Sequence, residues 1–268
     1  MERPSWAPAH MDVDRPSIAR VYDYYLGGSH NFAADREFAL TVLEAMPDLT
    51  RHAQENRAFL RRAVRHLAQA GIRQFVDLGS GIPTAGNVHE VAHAVAPDAR
   101  VVYVDVDPVA VAHSRAILAR EPFATVLHAD LRKPDEVLHH QGLRALIDLD
   151  QPVGVLLVSV LHFVSDEEAP DDVVAGYARA VAPGSHVVIS HASTHGQPRQ
   201  AAGVQELYRR SVSAMTMRSR DRIAALFGDL TLVEPGVVQM PRWRPDSTDD
   251  LSPDVDDYPG FAGVGRRD

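Results

Sequence analysis

RQFVDLGSGIPT, residues 73–84, decides the fold. Phe75, Val76 and Leu78 form a short apolar run that stops at a Gly-x-Gly pair, and a helical pattern follows. A strand that ends in such a pair ahead of a helix is the opening turn of a βαβ unit. Glycine permits the tight turn and lets a ligand approach the backbone, while the helix start offers free N–H groups. In the dinucleotide fingerprint G-x-G-x-x-G the third glycine would be residue 84, which is Thr84 here. An acid, Asp77, instead stands two residues ahead of the first glycine, where its carboxylate can accept from a ligand ammonium.

Downstream the same rhythm continues. The runs RVVYVDV, FATVLHAD, PVGVLLVSVLHF and SHVVISHAS alternate with helical stretches near 84–96, 108–120, 133–148 and 170–182. Strands separated by helices of this length predict an α/β fold with a mostly parallel sheet and helices on both faces. VGVLLVSV, apolar at nearly every position, suits a central strand covered on both sides. Helices near 199–213 and 219–227 follow, then two weaker strands in DLTLVE and GVVQM, expected as a final antiparallel pair.

The strand ends carry acids. Asp105 and Asp107 close the second strand, where a carboxylate can accept from both hydroxyls of a ribose, and Asp130 closes the third. Acids at the carboxyl ends of three successive strands converge on the crevice where open α/β sheets bind ligands. Taken singly, each could instead cap the helix that follows it.

Upstream, Ile18, Val21, Tyr22 and Tyr25 share one face of a helix that should stop at Gly27-Gly28. Further helices are expected over about 33–46 and 48–70, the latter capped by Gly71. We therefore divide the chain into a flexible N-terminus (1–16), a helical cap or lid (17–71), a nucleoside-binding domain (72–245) and an acidic, partly ordered tail (246–268).

With these motifs in view, a resemblance emerges. DLGSGIPT, YVDVDP and HADLRKP resemble the S-adenosylmethionine-binding core of the Rossmann-like, seven-stranded class I methyltransferases. ARVYDYYLGGSHNFAADR, ENRAFLRRAVRHL and GIPTAGNVHEVA are similar to an actinomycete-type S-adenosyl methyltransferase family whose substrate is unassigned. Pro83 departs from the general pattern by standing where the last glycine of D-x-G-x-G-x-G is expected. The resemblance implies S-adenosylmethionine as cofactor and S-adenosylhomocysteine as product. It implies that Asp77 and Gly79 lie near the methionyl part, within a cofactor turn completed by Ser80 and Gly81. Asp105 would hold the ribose with Val106 and Asp107 nearby, and Asp130 with Leu131 would border the adenine. Ser159 to Phe163 would face the sulfonium and the substrate.

Methyl transfer from a sulfonium is an in-line displacement with an activated leaving group, so alignment and water exclusion carry much of the catalysis. An acceptor that must lose a proton gains from a base, and His162 is the leading candidate, with His191 second. Tyr22 is expected beside His162 as a catalytic residue whose hydroxyl orients polar groups. Its ring and that of Tyr25 wall the site under a lid, with Gly27-Gly28 as the hinge ahead of the lid residues His30 and Asn31. The competing reading packs these aromatics onto the domain, with Asn31 as a helix cap. His89-Glu-Val-Ala-His93 matches the zinc motif H-E-x-x-H, but the helix that carries it packs on the sheet, and no metal is expected.

Composition narrows the partners. The 268 residues carry a net charge of −9, and 246–257 alone holds six aspartates. That balance argues against nucleic-acid and anionic-membrane partners and leaves a small-molecule acceptor. With no cysteine, thiolate catalysis is excluded. The N-terminus lacks a signal-peptide h-region and no apolar run approaches a membrane span, so a cytoplasmic location is expected. The opening helices offer a surface for a homodimer. The leading function is a methyltransferase. Alternatives are a non-catalytic S-adenosylmethionine-binding regulator, a nicotinamide-dependent reductase and a zinc hydrolase.

Overall fold

In the computed structural model, which describes residues 12–83 and 86–268 with the side chain of Asp250 excepted, the apolar runs pair as strands. They are β1 (Gln74–Leu78), β2 (Arg100–Asp105), β3 (Ala124–His128), β4 (Gly154–Val158), β5 (His186–Ala192), β6 (Thr231–Leu232), β7 (Val238–Gln239) and β8 (Gly260–Arg266). Their order across the sheet is β3-β2-β1-β4-β5-β8-β6, with β7 also paired to β8. The first five pair in parallel, and β8 runs antiparallel to β5 over its whole length. A strand has only two edges, so β6 and β7 lie end to end along the free edge of β8. Eight strands thus occupy seven positions.

The helices are α1 (Ile18–Tyr25), α2 (Ala33–Ala45), α3 (Leu49–Gln69), α4 (Val88–His93), α5 (Pro108–Ile117), α6 (Pro134–Leu138), α7 (Gln141–Arg144), α8 (Pro170–Ala180), α9 (Pro198–Ser211) and α10 (Arg220–Ala225). Period-2 alternation splits the strand side chains between two cores. Phe75, Val101 and Tyr103 face α3, α4 and α5. Val76, Leu78, Val102 and Val104 face α6, α7, α8 and α10. A third cluster joins α1, α2 and α9 through Val21, Tyr25, Phe38, Val42, Val204 and Tyr208. This small helical layer sits over the carboxyl ends of the strands.

Three boundaries differ from the sequence reading. The long helix α3 divides its loyalties: Ala53 joins the helical layer, whereas Phe59 to Ala68 pack on the sheet. The cap is therefore not the contiguous segment 17–71, and it recruits α9. The acidic tail supplies β8, which is buried along its length except at Arg266. GFAGVGR reads as loop because glycine disfavours strands. Here the glycines are needed: a Cβ at Gly265 would meet Phe227 at 2.8 Å, and one at Gly260 would meet Met240 at 2.7 Å. Consequently DLTLVE and GVVQM pair with β8 and not with each other. The helix after the Gly-rich turn starts at Val88, with Glu90 accepting from the Asn87 N–H at 2.8 Å, and not at residue 84. Thr84 and residues 1–11 of the N-terminal segment lie outside the described residues.

Candidate functional site

The Gly-rich turn is clamped to the neighbouring strand end. Gly79 and Gly81 adopt φ of 70° and 64°, a region that L side chains disfavour. Gly79 N–H and Ser80 N–H both donate to the Val104 carbonyl, and Gly81 N–H donates to Asp105 Oδ2 at 2.7 Å. A Cβ at Gly79 would meet Val160 at 2.3 Å, so the turn and the end of β4 are in direct contact. The Ser80 hydroxyl is buried without a partner.

This turn opens on a cavity of about 730 Å³ at the carboxyl ends of β1 to β5. Asp77, Gly79, Ser80, Gly81, Asp105, Val106 and Asp107 all line it, as do Asp130, Leu131, Ser159, His162, Tyr22 and Tyr25. The sequence thus brings its cofactor and catalytic candidates together. Gly27, Gly28, His30 and Asn31 are not among the lining residues. They wrap the buried Asp23 carboxylate instead, which accepts from His30 N–H at 2.8 Å and Asn31 Nδ2 at 2.9 Å. Gly28 is glycine because a Cβ would fall 2.0 Å from Asp23 Oδ1. The pair forms a closed turn around Asp23, in place of the expected open hinge.

The strand-end acids divide into three environments. Burial pushes the Asp77 carboxyl up to about 7, against the pull of Arg57 and with a further push from Asp105. Burial also raises Asp105 to about 6, although the N–H groups of Asp107 and Gly81 favour its charged form. Asp107 is both wall and cap: Oδ1 accepts from Val109 N–H at 2.7 Å at the start of α5, and Oδ2 accepts from the Ser17 hydroxyl. Ser17 N–H in turn donates to Asp35, which also holds Arg20 at 2.7 Å in a fully buried pair. Asp130 is only half-buried. Hydrogen bonds from Arg132 hold its carboxyl below the usual range, and Arg132 continues to Glu168 at 2.5 Å. Its carboxylate is therefore already engaged.

After β4 the chain turns sharply at Ser159, whose φ is 54°. Its N–H donates to both the Ser190 carbonyl and the Ser190 hydroxyl. That hydroxyl donates to Asn56 Oδ1 at 2.6 Å, Asn56 Nδ2 donates to the Tyr22 hydroxyl at 2.8 Å, and the Tyr22 hydroxyl donates to the Ala53 carbonyl. An unbroken polar chain thus runs from the end of β4 to α1. With its hydroxyl proton given to Ala53 and a lone pair given to Asn56, Tyr22 is placed to orient groups and not to abstract protons.

His162 lies in the short 3-10 turn Leu161–Phe163 and is buried. Burial, then His191 and Arg218, hold its ring well below the ordinary histidine range. The Ala192 N–H reaches Nδ1 at 3.5 Å; a backbone N–H only donates, which places the ring proton on Nε2. His191 is more tightly fixed. Nδ1 donates to the Ala192 carbonyl at 2.7 Å, and Nε2 accepts from Arg218 at 2.9 Å, so its basic lone pair is taken. Arg218 also donates to the Leu161 and Val164 carbonyls, and pairs with Asp166, binding the whole segment after β4. Neither Arg218 nor Asn56 was legible in the sequence. One arginine among the three of RSRDR and an asparagine inside a helix carry no pattern that marks them.

His89 and His93 have other duties. His89 Nδ1 lies 2.7 Å from the Tyr103 hydroxyl, and His93 Nε2 donates to the Ala99 carbonyl at 2.8 Å. Among the described residues no three His, Asp or Glu side chains gather as a metal site. No helix among the described residues is long and apolar enough to cross a membrane.

Comparison with known proteins agrees with this geometry. A family model described as S-adenosyl methyltransferase matches residues 4–268. A candidate methyltransferase from Thermobifida fusca is 45% identical, with a TM-score of 0.92 over 98% of this chain and 99% of that one. A DUF574 family protein from Streptomyces avermitilis is 35% identical, with a TM-score of 0.92 over 96% of this chain and 99% of that one. The N-methyltransferase NodS from Bradyrhizobium japonicum, 17% identical with a TM-score of 0.50 over 82% of this chain and 98% of that one, shares the fold. No curated protein sequence matches the chain. The chain belongs to the S-adenosyl methyltransferase family and is an S-adenosylmethionine-dependent methyltransferase of Rossmann-like class I fold.

Proposed function

We propose that the protein methylates a small molecule by in-line transfer within the cavity over β1 to β5. The observation that supports this most is the pairing of Asp77 and Asp105. Both are buried acids with raised carboxyl pKa values, and both face one cavity. Such groups gain most from a ligand that supplies hydrogen bonds and positive charge.

The residues fit S-adenosylmethionine. Asp77 accepts from the ammonium, the buried and unpartnered Ser80 hydroxyl meets the methionyl end, and Asp105 accepts from the ribose hydroxyls. The turn at Gly79 and Gly81 keeps the backbone close. Val106, exposed at the cavity mouth, and Leu131 give apolar faces for the adenine. Asp130 acts through Arg132 to fix the loop beside the base. When bound, the cofactor supplies an electrophilic methyl group on sulfur.

The chain's own residues then position and exclude water. Tyr22, Tyr25 and Tyr208 wall the acceptor side. Ser159, held by Ser190, sets the end of β4 beneath the reacting groups. His162 is neutral and buried, which makes it a weak base at neutral pH, and we assign it to orienting the acceptor. Displacement releases a proton from a hydroxyl or amine acceptor, which leaves to solvent. The net charge of −9 and the largely apolar site favour a small acceptor over a nucleic acid, and a cytoplasmic location fits.

The test is incubation of the protein and S-adenosylmethionine labelled in its methyl group with a cell extract, followed by separation by size. Label in the small-molecule fraction is expected. Label confined to protein or nucleic acid contradicts the proposal.

A further inference from the structure

Charge and apolarity are segregated around the cavity. Its acids lie at the strand ends or in the N-terminal segment, and three of its four arginines are engaged, while the fourth, Arg15, is largely exposed and lies 3.9 Å from Asp12. Arg20 pairs with Asp35, Arg132 with Asp130 and Glu168, and Arg57 donates to the Gly86 carbonyl beside the Gly-rich turn. Asp12 accepts from the N–H groups of Asp14 and Arg15. The opposite wall is Tyr25, Met46, Phe163, Tyr208, Met215 and Met217, all in one apolar cluster.

Two histidines, His52 and His162, also line the cavity. His162 is neutral, and burial lowers His52 to about 4, so neither carries charge near pH 7. His52 stands on the cavity stripe of α3 with Leu49, Ala53 and Asn56. It is 7% exposed, and its ring packs edge-on against Tyr258 at 5.0 Å. Both of its ring nitrogens are buried without a hydrogen-bond partner. A buried polar ring left unpaired is costly, and a ligand group that reaches it removes that cost.

Resting on the methyltransferase reading, we infer that the acceptor is an uncharged, largely apolar molecule anchored by one hydrogen bond to His52. A charged acceptor would be desolvated against this wall with no counter-charge to meet it, which costs far more than a neutral group. Three thioethers among aromatic rings form a wall that adapts to the ring of a ligand. The Tyr25 hydroxyl, which lies against Tyr208 without a hydrogen bond of good geometry, gives the wall a second polar point.

The experiment uses the full chain saturated with S-adenosylhomocysteine, with the affinity for that nucleoside measured first. The probes are 2-naphthol, 2-naphthoate, 2-naphthylmethylammonium and 2-methylnaphthalene, titrated into wild type and His52→Phe. We expect 2-naphthol to bind at least about tenfold more tightly than either charged probe. His52→Phe should weaken 2-naphthol by about tenfold and leave 2-methylnaphthalene unchanged. Equal or tighter binding of a charged probe overturns the inference. So does 2-naphthol binding no tighter than about 1 mM, or an unchanged affinity in His52→Phe that still binds the nucleoside. Loss of S-adenosylhomocysteine binding by wild type would instead sink the reading of the cofactor site.

Discussion

Asn56 Nδ2 donates to the Tyr22 hydroxyl at 2.8 Å, tying the long helix α3 to the first helix of the chain. Because Asn56 Oδ1 also accepts from Ser190, one amide joins the helical layer to the end of β4. Asn56→Leu leaves the Tyr22 and Ser190 hydroxyls without this partner and should destabilise the protein by about 1–3 kcal/mol. Tyr22→Phe removes both hydrogen bonds of its hydroxyl, to Ala53 and from Asn56, and should cost less than about tenfold in turnover, far from the loss of a catalytic base. Denaturant unfolding and initial rates check both.

Gly79 is fixed by space as well as by its positive φ. A Cβ there would collide with Val160 and strain the backbone. Gly79→Ala should destabilise the fold by about 1–3 kcal/mol and weaken cofactor binding, since the turn and the strand end must move apart. Thermal unfolding with and without S-adenosylhomocysteine measures both effects.

The acid pair makes cofactor binding pH-dependent. In the free protein Asp77 titrates at about 7, above its ordinary 3.8, so the folded state holds a proton that an unfolded chain has lost. Its contribution to stability therefore falls as pH rises from about 4 to about 7. A ligand ammonium favours the carboxylate, so binding releases a proton in that window. Affinity for S-adenosylmethionine should rise by up to about tenfold per pH unit from about pH 5, flattening near pH 7. Calorimetry at pH 6 in buffers of different ionisation enthalpy should detect the released proton, and Asp77→Asn should lose most of it.

His162 and Arg218 separate orientation from base catalysis. His162→Gln keeps a side chain that donates a hydrogen bond and should retain turnover within about tenfold, with no change in the pH profile. A general base would lose about 10²–10⁴-fold. Arg218→Lys cannot reach two carbonyls, a carboxylate and His191 at once, and should lower kcat by freeing the segment after β4. Steady-state kinetics over pH 5.5–8.5 distinguishes the outcomes, a range of about three units around the ordinary histidine value.

Much of the fold was legible because its signals are local. The glycine turn, the strand-end acids and the apolar face of α1 each declare themselves within a few residues. They bring Asp77, Asp105 and Asp107 to one cavity. What escaped depends on distant partners. The strand β8 hides behind glycines that distant neighbours such as Phe227, Leu230 and Met240 explain. Asp130 looks like its fellow acids until Arg132 is seen to occupy it. Gly27-Gly28 looks like a hinge until the Asp23 carboxylate is found beneath it.

The most direct test of the cofactor site is calorimetric titration of S-adenosylmethionine, S-adenosylhomocysteine and NAD into wild type and Asp105→Ala. The account predicts micromolar binding of the two sulfur nucleosides and none of NAD, with Asp105→Ala weaker by about tenfold to a hundredfold. Undiminished binding in Asp105→Ala, or binding of NAD in their place, would contradict it.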